Sequence, residues 1–161
     1  MKMRTLTSVL LFGSCLAFAH PAESQSRVLV RDERGRLLMS TRSVPLSSGR
    51  AAIPVAAYER LGLYVKPQVK AKRVAIGIPD SDSGVLLYAG SYVVRDFMHE
   101  KPQSPRNDTP VAVLRGGRFY ASAAVVKKAF SDLLTTTWDK RTRTIVLKRS
   151  KQFAQDLERL R

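Results

Sequence analysis

The stretch Ala112–Ala123, which reads AVLRGGRFYASA, contains the pattern on which the fold prediction depends. Gly116-Gly117 separates two short apolar runs, and glycine tolerates the positive φ that a tight hairpin turn requires. The second run leads into Ala123–Phe130, where apolar residues have helical spacing and Ser122 is placed to cap the free N–H groups. The stretch therefore predicts two short antiparallel strands followed by a short helix.

An earlier segment, Val44–Val55 (VPLSSGRAAIPV), has the same order of features. Gly49-Arg50 takes the position of Gly117-Arg118, and Pro54 suits the first turn of a helix because its missing N–H costs nothing there. The helix predicted over Val55–Leu61 ends at a glycine, which is a normal C-terminal residue. We therefore predict that the chain contains two related units.

Hairpins are predicted on both sides of each helix. Helices this short are not stable alone, so each must be held against a sheet. Trp138, Ile145 and Leu147 are expected to face the core. The fold class is α+β: two units, over residues 27–78 and 85–149, of short antiparallel strands with one short helix packed on each sheet. The predicted hairpins are Arg27–Thr41, Leu63–Ile78, Val85–Phe97 and Leu133–Lys148.

The C-terminal segment, residues 150–161, is predicted to form an amphipathic helix. Phe153, Leu157 and Leu160 fall on one helical face. We expect that face to dock on the domain, and contact with a partner is the alternative.

Residues 1–19 have the pattern of a secretory signal. Lys2 and Arg4 precede the apolar run Leu6–Phe12, and Ala17–Ala19 supplies small residues before a predicted cut at His20. The run is too short to span a bilayer. We therefore expect a secreted, extracytoplasmic protein of the cell envelope. The alternatives are a retained N-terminal anchor, and a lipid on Cys15 because residues 12–15 resemble a lipoprotein cleavage box; membrane contact is expected only with that lipid.

Positive charge is the main compositional feature. The 161-residue chain has a formal net charge of +15 at pH 7, of which Lys2 and Arg4 leave with the signal. Such an excess attracts anionic partners, and outside the cell these include wall polymers, lipid headgroups, nucleic acid and acidic proteins. A solvated surface is the alternative. The candidate binding residues lie in a dense run and are Lys140, Arg141, Arg143, Lys148, Arg149 and Lys151.

The region Pro110–Leu147 resembles the stalk-type domain first named from the N-terminus of copper amine oxidases. The resemblance rests on Gly116–Tyr120 (GGRFY) and Trp138–Ile145 (WDKRTRTI), although Ser122 stands where the family has proline. Val44–Ile78 resembles a second, more diverged copy without the Trp-Asp pair. The resemblance implies a small antiparallel sheet with packed helices in a secreted, non-catalytic protein. It also implies structural roles for Gly49, Arg50, Gly117, Arg118, Trp138 and Asp139.

Catalytic chemistry has little support in the sequence. The chain has two histidines, His20 and His99, and nothing near His99 marks a nucleophile elbow. We expect no enzyme activity, no cofactor and no metal. The one alternative is a copper site made by the amine and imidazole of an N-terminal His20 together with His99.

The sequence thus predicts a secreted, basic, non-catalytic module that recognises anionic wall material or a partner protein of the envelope. The alternative is an extracellular nucleic-acid or polyanion binder. That alternative requires Arg and Lys residues on one face close to exposed aromatics such as Tyr88, Tyr92 or Tyr120. The oligomeric state is left open.

Overall fold

The computed structural model describes residues 25–47, 49–92, 94–97 and 110–160, so the predicted signal, Cys15, His20 and His99 lie outside the described residues. The described chain is mixed α+β, which confirms the predicted class, including its C-terminal helix. The strands are β1 (Arg27–Arg31), β2 (Leu37–Arg42), β3 (Val44–Pro45), β4 (Ala51–Pro54), β5 (Tyr64–Gln68), β6 (Arg73–Gly77), β7 (Gly84–Tyr88), β8 (Val94–Asp96), β9 (Ala112–Arg115), β10 (Arg118–Ser122), β11 (Leu134–Asp139) and β12 (Thr144–Arg149). The helices are α1 (Val55–Arg60), α2 (Ala123–Ala129) and α3 (Lys151–Arg159).

The strands form three four-stranded sheets. Sheet A has the order β11-β12-β1-β2, sheet B the order β3-β4-β10-β9, and sheet C the order β5-β6-β7-β8. The β1–β12 pair is parallel, and the other neighbouring pairs are antiparallel. Every sheet therefore combines strands from the segments 27–78 and 85–149. The two segments share their sheets instead of each building its own, and their relation as copies stays a prediction.

The two helix-bearing segments meet in sheet B, where β4 pairs with β10. Ile53 in β4 lies opposite Ala121 in β10, and both are fully buried. Each of these strands passes directly into a helix, and Tyr58 of α1 and Val126 of α2 join the same apolar core. Because both helices are too short to be stable alone, this packing holds them in place.

The predicted turn glycines are confirmed in the hairpins of sheet B. Gly117 has a φ of 74° in the two-residue turn between β9 and β10. Gly49 also has a φ of 74°, and its N–H donates to the carbonyl of Leu46 at 2.8 Å. Arg50 and Arg118 follow these glycines, and the carbonyl of Arg50 accepts from the Leu46 N–H at 2.8 Å.

The predicted cap at Ser122 is wrong. Ser122 precedes α2, but its side chain makes no capping hydrogen bond. Its N–H instead donates to the Val111 carbonyl at 2.8 Å, since the residue is still part of the sheet. Side-chain capping occurs at α3, where the hydroxyl of Ser150 accepts from the Phe153 N–H at 3.1 Å.

Helix α3 docks on the domain, as its apolar spacing predicted. Phe153 is buried in the main core, and Leu157 packs against that core in part. Gly62, with a φ of 100° just after α1, leaves the space into which the Leu157 side chain fits. Leu160 stays 49% exposed, so only two of the three predicted face residues pack.

The predicted burial of Trp138 in the core is wrong. Ile145 and Leu147 are buried as expected, but Trp138 is 49% exposed. Trp138 pairs with Ile145 and therefore lies on the core side of sheet A. It stands near the end of the edge strand β11, where neighbouring elements no longer cover the sheet.

Candidate anion-binding surface

The outward side of sheet A carries basic side chains from three adjacent strands. Val28 and Val30 are fully buried, and side chains alternate along a strand, so Arg27 and Arg31 point to the opposite side of β1. The strand register places Arg42 of β2 opposite Arg27, and Lys148 of β12 beside Arg31. These positions come from segments more than one hundred residues apart in sequence and meet only through the β1–β12 pairing.

The β11–β12 turn adds further cations at one end of this side. Lys140, Arg141 and Arg143 are exposed there. We call the whole surface the basic face, and its residues are Arg27, Arg31, Arg42, Lys140, Arg141, Arg143 and Lys148.

Asp139 holds the turn in its conformation. Its Oδ1 accepts from the N–H groups of Arg141 at 2.9 Å and Thr142 at 3.3 Å. Its Oδ2 accepts from the Thr142 hydroxyl at 2.7 Å. The Thr142 side chain, followed by the two backbone donors, holds the pKa of Asp139 below its ordinary value. The carboxylate oxygens of Asp139 are therefore used within the turn.

A shallow, open concavity lies within the basic face, with a volume of about 560 Å³. Arg27, Arg42 and Arg143 line it. The backbone closes one edge, because the Arg27 N–H donates to the Arg143 carbonyl at 3.1 Å. Within the described part of the chain, none of these three guanidinium groups lies within ion-pair distance of a carboxylate. The remaining lining residues are polar and comprise Gln25, Ser40, Thr41 and Thr142.

The structure separates the candidate binding residues of the sequence analysis into two groups. Lys140, Arg141, Arg143 and Lys148 belong to the basic face. Arg149 lies apart from it, because its Nε donates to Glu33 Oε2 at 2.7 Å and its side chain is only 22% exposed. That hydrogen bond lowers the pKa of Glu33 and joins the end of β12 to the β1–β2 turn.

Lys151, the last of these candidates, is exposed at the start of α3 and lies outside sheet A. The sequence reasoning also missed three residues of the basic face, Arg27, Arg31 and Arg42. The alternation around Val28 and Val30 marked two of them as surface residues of a strand. Their place beside the C-terminal hairpin depends on the parallel β1–β12 pairing, which no local pattern indicates.

The tyrosines named for nucleic-acid binding are not part of the basic face. Tyr88 belongs to β7 of sheet C, where the Arg95 guanidinium lies 5.5 Å from its ring centroid. Tyr120 is half-buried in β10 of sheet B, and exposed Tyr92 lies between β7 and β8. The large exposed aromatic nearest in sequence to the basic turn is Trp138.

Residues 25–47, 49–92, 94–97 and 110–160 contain no group of three or more His, Cys, Asp or Glu side chains arranged to hold a metal ion. In the same ranges, no helix combines the length and apolar character needed to cross a bilayer. The alternative copper ligands, His20 and His99, lie outside these ranges.

Comparisons with protein-family models, with curated proteins and with solved structures found no match to this chain. The resemblance to the stalk-type domain of copper amine oxidases therefore stays a prediction.

Proposed function

We propose that the protein is a secreted, non-catalytic module of the cell envelope that binds an anionic wall polymer through the basic face. The observation that carries the proposal is the collection of cations on one side of sheet A, none of which lies within ion-pair distance of a carboxylate of residues 25–47, 49–92, 94–97 or 110–160. A single-sign surface of this kind raises the local concentration of an oppositely charged polymer and steers its approach.

Two of the three carboxylates in the adjoining turns leave this charge in place. Asp32 is buried and bonded to the Arg36 side chain at 2.7 Å, and Glu33 is paired with Arg149. Asp139 is bonded within its own turn. Asp32 and Glu33 are each paired with an arginine outside the basic face, so they do not neutralise its cations. Asp139 stays ionised and offsets one positive charge of the β11–β12 turn, and the face keeps an excess of cations.

The other side chains on this side of the sheet favour a sugar or alditol polymer over stacked bases. Thr137 and Ser40 are exposed between the basic rows, with Leu29 and Val146 half-buried between them. Proteins that bind single-stranded nucleic acid combine cations with aromatic platforms for base stacking. These side chains offer no such platform, and the hydroxyls of Thr137 and Ser40 can hydrogen-bond to the hydroxyl groups of a sugar.

Nucleic-acid binding is the second candidate function. The observation that favours it is the half-exposed Trp138, which directly precedes the basic turn in sequence, although its position in the strand lies on the core side of sheet A. A single indole can stack one base, whereas a bound strand usually uses several aromatics.

The test compares two variants that each lose two neighbouring, exposed cations. K140Q/R141Q removes charge from the basic face, and K127Q/K128Q removes the same charge from α2. The full chain, purified as its host processes it, is titrated with poly(glycerol phosphate), polygalacturonate and single-stranded DNA at low and high salt. We expect salt-sensitive binding of the wall-type polymers that falls about tenfold in K140Q/R141Q and less than about twofold in K127Q/K128Q.

Equal losses in the two variants would mean that only net charge matters and would overturn the proposal. Selective binding of DNA over both other polymers, lost when Trp138 is replaced by alanine, would establish the second candidate instead. Absence of binding to every polymer would also overturn the proposal.

A further inference from the structure

The concavity of the basic face contains an arrangement that is unfavourable in the protein alone. Arg27 and Arg42 are directly opposite each other in the β1–β2 pair, and like charges in that position destabilise a sheet. Arg143 brings a third guanidinium to the same concavity from the β11–β12 turn. No carboxylate of the described residues lies within ion-pair distance of these three groups.

The backbone at Arg143 adds a second unfavourable contribution. Its φ is 50°, in the left-handed region that residues with a Cβ rarely adopt. Glycine is the residue that suits this conformation. Lys72 in the β5–β6 turn has a similar φ of 49°, so positive φ alone does not mark a site; at Arg143 it coincides with the charge repulsion.

The chemistry of the lining identifies the kind of ligand that would offset these costs. Guanidinium groups only donate hydrogen bonds. Ser40, on the same side of the sheet, adds a hydroxyl that is able to donate, while the Thr142 hydroxyl is already bonded to Asp139. The concavity therefore matches an oxyanion with many acceptor lone pairs.

The number of guanidinium groups favours phosphate over carboxylate. A carboxylate has two oxygens in one plane, and one guanidinium fork can satisfy both of them. A phosphate group carries oxygens in several directions and can accept from more than one guanidinium group, and Arg27, Arg42 and Arg143 line the same concavity.

We propose that Arg27, Arg42 and Arg143 form a phosphate-binding site, which takes the phosphate groups of the anionic polymer that the basic face binds. The inference rests on the proposed function, since it names the chemical group that one part of that face recognises. The phosphate can belong to a wall polymer, a lipid headgroup or a free polyphosphate, and the probes below separate these sources.

The first experiment compares tripolyphosphate with citrate at equal ionic strength by isothermal titration calorimetry. The full chain should bind tripolyphosphate about tenfold more tightly than citrate. R42Q/R143Q should reduce the preference for tripolyphosphate over citrate to less than about twofold, whereas the matched control K127Q/K128Q should keep the tenfold preference. Equal affinity for the two anions in the parent chain, or an equal fall of the preference in both variants, would overturn the site.

Two further probes distinguish the source of the phosphate. Binding of poly(glycerol phosphate) in preference to phosphatidylglycerol vesicles supports a polymer ligand, and the reverse preference would overturn it. If polygalacturonate binds through Lys140 and Arg141 while tripolyphosphate shows no preference over citrate, the phosphate site fails and the proposed function stands. If no polymer binds, the proposed function fails, whatever tripolyphosphate does.

A second pair of variants tests whether Arg143 is kept for binding. R143G removes both the guanidinium and the backbone strain, whereas R143A removes the guanidinium and keeps the strain. Both should lose tripolyphosphate affinity by about fivefold, and only R143G should melt at or above the temperature of the parent chain. Unchanged affinity in both variants, or a lower melting temperature in R143G, would show that Arg143 serves the fold and would overturn its place in the site.

Discussion

Tyr58 is an exception to the pairing of buried polar groups in this protein. Its side chain is 1% exposed within the main core, and its hydroxyl has no hydrogen-bond partner among the described residues. Burial raises the pKa of Tyr58, so the phenol stays neutral over the physiological range. A buried hydroxyl without a partner keeps the cost of its desolvation.

We expect Tyr58→Phe to stabilise the protein by about 1 kcal/mol, because the ring packing stays and the unpaired hydroxyl is removed. Urea unfolding followed by circular dichroism measures the change. Tyr64→Phe is the control, since Tyr64 is 45% exposed and its hydroxyl is free to bind water. A loss of stability in Tyr58→Phe would contradict the reading of the hydroxyl as unpaired.

At the scale of elements, two serines in equivalent positions before helices have different roles. Ser150 caps α3 through its hydroxyl, and Ser122 makes no such bond at α2. We expect Ser150→Ala to cost about 1 kcal/mol of unfolding free energy, the usual value of an N-cap. Ser122→Ala should cost less than about 0.5 kcal/mol. Chemical denaturation of both variants makes the comparison, and a larger loss in Ser122→Ala would refute it.

The β1–β2 turn depends on the ionised form of Asp32. Burial alone would raise the pKa of this carboxyl, but the Arg36 side chain, the Arg36 N–H and the Arg34 N–H donate to it and hold the pKa below 3.8. The folded protein therefore binds this proton less tightly than the unfolded chain does. The stabilisation is fully present above the ordinary pKa and is lost as the pH falls through the lowered value.

The melting temperature is accordingly expected to fall as the pH is lowered below about 4. In Asp32→Asn that acid-induced fall should be smaller, and the protein should be less stable than the parent at neutral pH. Asp82→Asn, which changes an exposed carboxylate between β6 and β7, should reproduce the parent curve. Thermal melts between pH 2 and pH 7 supply the test, and identical curves for Asp32→Asn and the parent would count against the role of Asp32.

At the scale of the whole molecule, the three sheets tie the two halves of the chain together. β6 pairs with β7 in sheet C, β4 with β10 in sheet B, and β12 with β1 in sheet A. Neither half can complete a sheet alone, because each sheet would lose two of its four strands. A hairpin without such neighbours is marginally stable at best.

A cut in the exposed linker between β6 and β7 should therefore leave two fragments that fold only together. Fragments 1–81 and 82–161 are each expected to lack a cooperative thermal transition. An equimolar mixture should regain the circular dichroism spectrum and the elution volume of the intact chain. Cooperative melting of either fragment alone would show that its half folds independently.

The sequence by itself determined the local structure of this protein. Glycines marked the turns at residues 49 and 116–117, alternation marked β1 and β12, and apolar spacing marked the three helices. These features follow from turn geometry and side-chain periodicity, which depend on residues close together in the chain. Three of the six candidate binding residues, Lys140, Arg141 and Arg143, lie in the turn of the predicted hairpin Leu133–Lys148, and a turn between strands exposes its charges.

Only the tertiary structure decided which strands are neighbours and which side chains are covered. Trp138 has the alternation of a core residue and stays half-exposed because β11 is an edge strand. Arg149 and Arg143 belong to the same basic run of the sequence. Arg149 pairs with Glu33, whereas Arg143 lines one concavity with Arg27 and Arg42. The physical reason is that the parallel β1–β12 contact joins the two ends of the described chain, and the free energy of such a pairing depends on the whole core.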